Sequence, residues 1–466
     1  MYDPSRRSRP YQTIGRTWGK PAQRKPPQQS TVPAPPLGAL IREIRVDHLS
    51  HTSKTFEDKA IISECSTIAS YSWIDAHDPT ILVPGRPPRW TPLAHPTRLT
   101  EDSGEYYRDK NAARYPKHPM EPAIRAGLKA SPEICRAGTV DIVACGSTLG
   151  NLLRFVRGQD KSFRILVEMV EGTVFFVRRE NSPTELIPDI RGFGHSFPEN
   201  YTTWDRDVKG SASNERLLRY NFGGLRFLVR FGADGYIEEP GRATGKTTTA
   251  SAASSKASAE VSEILSSLDD TRISSKASAA YSAGLKIQSA GSLVDQSCIF
   301  DLKTRSIKKR FNDTLGEELP RLWVAQIPKF ILAYHDWGLF KDIQIHDVRD
   351  KVKAWEETHK DDLAKLASLV HQINAHVRTN QSKKLELSHD GKGVLEVREA
   401  LDDANDALSP TVKATWIAGR QDARSNEANE EKSSGDDDIV GWKDDTEGDF
   451  TNCSGSCGYC GRCGSS

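Results

Sequence analysis

Two stretches decide the fold: Leu225-Arg-Phe-Leu-Val-Arg-Phe-Gly-Ala-Asp234 and Cys298-Ile-Phe-Asp-Leu-Lys-Thr-Arg-Ser306. Both alternate and are rich in β formers, so each reads as a strand. Successive strand side chains point to opposite faces. One face of the first therefore carries Arg226, Leu228, Arg230, Gly232 and Asp234. One face of the second carries Asp301, Lys303 and Arg305, while Phe300, Leu302 and Thr304 face the other way. A buried strand does not spend a face on unpaired charge, because isolated buried charge is costly. If the two polar faces converge, they make a site with two carboxylates, one ammonium and several guanidinium groups.

Phosphodiester hydrolysis needs such a set. Carboxylates hold Mg²⁺ or Mn²⁺, hard ions that prefer oxygen ligands. The metal lowers the pKa of a bound water and neutralises charge developing on phosphorus. A lysine positions that water, and arginines hold neighbouring phosphates by bidentate contacts.

Outward from these strands, Val140–Val143 reads as a strand leading into a helix near 150–156. Residues 163–170 and 173–179 read as a hairpin turning at Glu171-Gly172. Short helices are expected at 38–44, 120–130, 317–324 and 329–335, and one long helix over 347–377. In the last, Leu363, Leu366, Val370, Ile373 and Val377 form a single apolar stripe. Residues 385–387 and 394–397 suggest a closing hairpin. The expected class is α/β (or α+β), a mixed central sheet of about five to seven strands flanked by helices.

The 466 residues carry 64 Lys+Arg against 63 Asp+Glu, which excludes a uniformly basic nucleic-acid binder but not local basic patches. Only 37% are hydrophobic and 25 are proline, so disordered segments are expected around the core. Residues 1–36 read as a basic, Pro-rich tail and 37–400 as the globular domain. Within it, 241–297 is a Ser/Ala-rich insertion. Residues 401–450 read as an acidic tail and 451–466 as a Cys-rich end. No apolar run is long enough for a membrane helix and no secretory signal is visible. Eight sparse cysteines favour an intracellular compartment, nucleus or cytoplasm ahead of mitochondrion.

Asp234 on one strand and Asp301-Leu-Lys303 on a later one resemble the PD-(D/E)XK nuclease superfamily. Within it the chain resembles the DXO-type decapping and 5′-end exonuclease branch and a group of uncharacterised fungal proteins. Gly194-His-Ser-Phe-Pro-Glu199 has the spacing of that branch's first motif, and Gly232-Ala-Asp234 stands in its Glu-x-Asp place. Gln326 resembles the Gln of a Gln-x-x-x-Tyr element at the head of a helix, with Phe330 in the Tyr place. The resemblance implies an RNA nuclease acting at 5′ ends. Glu199, Asp234 and Asp301 would ligate Mg²⁺ or Mn²⁺, and Lys303 and Gln326 would complete the catalytic set. Arg219, Arg226, Arg230 and Arg305 would hold phosphates. Gly232 departs from the pattern, because the branch has a ligating Glu there. A catalytically degenerate RNA-binding or scaffold protein on the same fold is the alternative.

Three other motifs compete. Gly241-Arg-Ala-Thr-Gly-Lys-Thr247 is one residue short of a phosphate loop. Asp402-Asp-Ala-Asn-Asp406 matches a diphosphate-binding signature but has no partner motif, and reads as a solvated acidic face. Cys453, Cys457, Cys460 and Cys463 have the spacing to wrap one Zn²⁺, against a flexible, reactive tail.

Overall fold

The computed structural model describes residues 32–159, 161–187, 190–238 and 284–418. They belong to one compact unit ending at Arg420; a second unit, Gln421–Ser466, lies outside the described residues. In chain order the strands are β1 (Leu40–Arg45), β2 (Ser63–Ile74), β3 (Thr80–Gly85), β4 (Arg89–Trp90), β5 (Ile142–Cys145), β6 (Phe163–Val170), β7 (Thr173–Arg179), β8 (Thr202–Thr203), β9 (Ser211–Phe222), β10 (Leu225–Ala233), β11 (Gly235–Tyr236), β12 (Lys286–Gly291), β13 (Ile299–Ser306), β14 (Lys329–Asp336), β15 (Leu339–Asp347), β16 (Lys384–His389) and β17 (Val394–Glu399). The helices are α1 (Val46–Ser53), α2 (Lys110–Arg114), α3 (Glu121–Ala130), α4 (Gly146–Val156), α5 (Ser196–Tyr201), α6 (Thr314–Ala325), α7 (Arg349–Thr358) and α8 (Lys360–Thr379), followed by a helix over 410–418.

The architecture is mixed α/β, built on two sheets rather than the single one expected. An 11-stranded sheet runs β1-β17-β16-β6-β7-β5-β10-β9-β2-β3-β12, and a six-stranded sheet runs β15-β14-β13-β11-β4-β8. On one face of the large sheet, Phe227, Val229 and Phe231 of β10 pack with α4, α6 and α8. The stripe Leu363, Leu366, Val370, Ile373 and Val377 of α8 is wholly buried there. On the opposite face, Leu217 and Leu228 pack with Ala123 and Ile124 of α3 and with Trp416 of the 410–418 helix. The small sheet has its own core, where Phe197 and Tyr201 of α5 meet Phe300 of β13 and Ile331 of β14.

Several elements differ from expectation, each for a physical reason. Where a helix is expected over 38–44, Leu40–Arg45 pairs along β17 as an edge strand, so sheet hydrogen bonding overrides a weak helical pattern. The run 329–335 is β14, lying between β13 and β15 with Phe330 to Tyr334 all buried. A short apolar run buried on both faces has no periodicity that separates strand from helix. The long helix breaks at His359, whose backbone (φ −113°, ψ 25°) leaves helical space and whose ring stacks on Trp355. The hairpin β6–β7 turns as expected through Glu171 (φ 47°) and Gly172 (φ 87°).

The insertion expected over 241–297 gives way to sheet before its expected end. Lys286–Gly291 already pairs with β3, and residues 239–283, which include the phosphate-loop-like motif, lie outside the described residues. The globular part also runs past residue 400. Leu408, Val412 and Trp416 are buried, Trp416 completely, so an acidic tail cannot begin at 401. No helix among the described residues is long and apolar enough to cross a membrane.

Candidate active site

The site forms where the chain passes from one sheet to the other. β10 ends at Ala233, Asp234 occupies the crossing, and Gly235 starts β11 directly opposite Phe300 of β13. A Cβ on Gly235 would collide with the Phe300 ring and come within 2.8 Å of the Pro88 carbonyl oxygen. Only glycine permits this approach, and the approach brings Asp234 against Asp301.

The Leu302 N–H lies between the two acids. It donates to Asp234 Oδ2 at 2.8 Å and to Asp301 Oδ1 at 2.7 Å. Sharing this one donor holds the two carboxyls next to each other. Asp301 is 3% exposed, whereas Asp234 is exposed in the cleft, with protein crowded around its carboxyl. That crowding, then the neighbouring Asp301, pushes the Asp234 carboxyl well above the usual carboxylate range. Arg321 of α6 partly offsets the repulsion by pairing with Asp301 Oδ2. Burial works to lower the Arg321 pKa, but Asp301, Glu318 and Asp234 hold it above the ordinary arginine value.

On β13, Phe300 and Leu302 pack into the small-sheet core, while Asp301, Lys303 and Arg305 share the cluster around Glu318 and Arg321. Asp301, Lys303 and Arg305 all open onto the cleft system. Lys303 Nζ sits 3.1 Å from Glu318 Oε1, and Arg305 Nη2 is 3.7 Å from the same oxygen. Arg321 Nε donates to Glu318 Oε2 at 3.0 Å. Glu318 is thus the common partner of three cations at the edge of the acid pair. The adjoining cleft, of about 1170 Å³, is also bordered by Arg108, Lys110, Arg154, Arg157, Arg178 and Arg230. Burial, then the like charge of Arg178, lowers the pKa of Arg154.

The remaining expected residues go elsewhere. Glu199 lies one turn into α5, and the charges acting on it are Asp102 and Lys110, not the acid pair; burial, then Asp102, raises its carboxyl. Among the described residues no three His, Cys, Asp or Glu side chains assemble as a ligand cluster, so the trio of Glu199, Asp234 and Asp301 is not formed. Gln326 is not at the head of a helix. It is the left-handed C-cap of α6 (φ 48°), and its amide donates back to the Trp323 carbonyl at 2.7 Å. Arg226 forms a bidentate pair with Asp141 at 3.0 and 2.9 Å, at the opposite end of β10. Arg219 borders neither cleft; it lies mid-sheet, registered against Leu228 and Ser66. Arg230 does reach the cleft, but it donates to the Pro119 carbonyl at 2.7 Å and lies 3.8 Å from Glu215. The shared face of β10 therefore splits, because Leu228 buries its middle in the core.

Glu215 was not singled out in the sequence. It stands opposite Gly232 on β9 and looks into the cleft through the space the glycine leaves. Burial raises its carboxyl. Asp403 and Asp406 of the diphosphate-like motif are paired with Arg179 and Lys384, which accounts for them without a ligand. Cys453, Cys457, Cys460 and Cys463 lie outside the described residues.

Residues 46–399 match the family described as a domain of unknown function (DUF8563). The chain belongs to the DUF8563 family. No curated protein matches it. In backbone course this DUF8563 member is similar to solved structures of Rai1 and Dxo1. S. pombe Rai1 is 11% identical, covering 77% of this chain and 99% of that one, with a TM-score of 0.47. Scheffersomyces stipitis Rai1, solved with (3′-NADP)+ and a calcium ion, is 10% identical, covering 84% and 99%, with a TM-score of 0.48. K. lactis Dxo1 in complex with manganese is 8% identical, covering 81% and 97%, with a TM-score of 0.43.

Proposed function

We propose that this protein is a divalent-metal-dependent phosphodiesterase acting on RNA, at 5′ ends. The observation that carries the reading is the Asp234–Asp301 carboxyl pair set beside Lys303 at the floor of a cleft bordered by arginines and lysines.

The donor set suits Mg²⁺ or Mn²⁺. Such ions are held by one or two carboxylates, with waters and substrate phosphates completing the shell. Two crowded acids, one of them reluctant to ionise, are also a pair whose repulsion a cation relieves. Asp234 and Asp301 would hold the ion, which supplies an activated water and charge neutralisation at phosphorus. Lys303 and Arg305 extend along β13 to meet phosphate oxygens, at the expense of their shared contact with Glu318. Arg321, half exposed at its side chain, is free to turn from Asp301 toward an incoming phosphate. RNA is the polymer to test first because of the motif order Gly194–Glu199, Asp234, Asp301-x-Lys303.

The test is incubation of the protein with 5′-monophosphate, 5′-triphosphate and capped RNA in Mn²⁺ or Mg²⁺. Cleavage that disappears in Asp301→Ala and Lys303→Ala is the expected result. Binding without cleavage by the wild-type protein would replace this reading with the second one, an RNA-binding protein on a degenerate site. Two observations favour that alternative: Gly232 supplies no carboxylate, and Lys303 is held by Glu318.

A further inference from the structure

His195 has no part in the hydrolytic set, yet it borders both the cleft at Asp234 and the smaller one beside it. Its imidazole lies flat against Tyr106, with ring centroids 3.6 Å apart and planes 14° from parallel. The backbone is fixed from beneath. Asp102, itself buried, accepts from the N–H of His195 at 2.9 Å and of Ser196 at 2.8 Å. Among the described residues neither imidazole nitrogen has a hydrogen-bond partner. Core packing does not explain the ring either, since both Tyr106 and His195 remain partly exposed. Tyr106 does not border the clefts and His195 does, so Tyr106 backs one side of the imidazole and the cleft meets it elsewhere.

A rigid, stacked aromatic surface beside a phosphate-binding cleft is the arrangement that receives bases of single-stranded nucleic acid, because every base offers a π face. We propose that His195, backed by Tyr106, is the stacking platform for a nucleobase of the strand bound in this cleft. The platform rests on the function proposed above and adds a preference for strands that carry bases over bare phosphate chains. Burial, then the charge of Lys110, keeps the imidazole below its ordinary pKa, which favours the uncharged ring.

The test compares two probes with equal numbers of phosphates: a 5′-phosphorylated pentauridylate and a 5′-phosphorylated abasic pentamer. Binding is read by fluorescence anisotropy in Ca²⁺, and the probes are checked for integrity afterwards. Stacking is worth a factor of roughly ten in affinity per base. Wild-type protein should therefore prefer the pentauridylate by about that factor. His195→Ala should remove the preference without weakening the abasic probe, Tyr106→Ala should reduce it, and His195→Phe should restore it. Equal weakening of both probes, or an unchanged preference in His195→Ala, overturns the platform while leaving the phosphodiesterase reading in place. Failure of wild-type protein to bind either probe overturns both.

Discussion

Asp301→Asn separates metal binding from fold. The asparagine is isosteric with the buried aspartate. Its Oδ1 still accepts from Leu302 N–H, and loss of the second charge ends the competition between two acids at Asp234. Arg321 loses a partner but keeps Glu318, and its side chain is 49% exposed, so it is not stranded. The variant should therefore fold with near wild-type stability when no metal is added. Metal linkage is where it differs. At a concentration one hundred times Kd, a cation that binds only the native state stabilises it by about 2.7 kcal/mol. In a folded unit of this size each kcal/mol moves the melting temperature by roughly 2 °C, so Mn²⁺ should raise it by about 5 °C. Losing one of two hard donors is expected to weaken binding about a hundredfold, which leaves about 0.4 kcal/mol at the same concentration, or less than about 1 °C. Differential scanning fluorimetry at fixed Mn²⁺, with Asp141→Asn as a carboxylate control away from the cleft, reads both shifts. Equal Mn²⁺ shifts in wild type and Asp301→Asn, or no shift in wild type with either Mn²⁺ or Mg²⁺, would refute the assignment of the acid pair as the metal site.

Asp234 should impose a pH signature on the metal-free protein. Its folded-state pKa is raised, so the native state binds a proton that the unfolded chain has already lost, and stability declines as pH rises above the ordinary aspartate value of about 4. Asp234→Asn should then be more stable than wild type at pH 8 and no more stable at pH 3, which denaturant melts at the two pH values will show. Trp416→Ala should cost about 3–5 kcal/mol, since the ring is fully buried beneath the large sheet, and truncation at residue 400 should be worse still. Arg226→Gln should cost no more than about 1 kcal/mol and leave RNA affinity unchanged, because its partner is Asp141. Arg305→Gln should weaken RNA binding at nearly constant stability; comparing the two by anisotropy and melting checks the division of roles.

β13 is legible in the sequence because every second residue from Asp301 to Arg305 is charged and those between are uncharged. Parity alone then places Asp301, Lys303 and Arg305 on one side, and the structure joins all three through Glu318 and Arg321. On β10 the same argument failed midway. Leu228 turns the supposed polar face into core, and Arg226 lies too far along the strand to share a site with Asp234. Glu318 and Arg321 were invisible for a different reason. They sit three residues apart on a helix whose polar face could have met solvent, and only the packing of α6 beside β13 gives that face a task. Glu215 was hidden by register: nothing local says that the residue across from it is a glycine. Gln326 misled because the run after it was read as a helix, when the left-handed cap at Gln326 ends one helix and leads to a strand.

Asp301, Lys303 and Arg305 ride on one β-strand and must travel as a single rail. Asp234 hangs from the end of a strand in the other sheet, joined to that rail by the short β11 pairing and the Leu302 amide. Any rocking of one sheet against the other is therefore felt first as a change in the spacing of two oxygen atoms. The aromatic packing of Trp90 on Phe300, on the core side of β13, braces that joint from behind. The hydrolysis proposed for this cleft should then be tunable from the back of the sheets, by residues outside the acid pair.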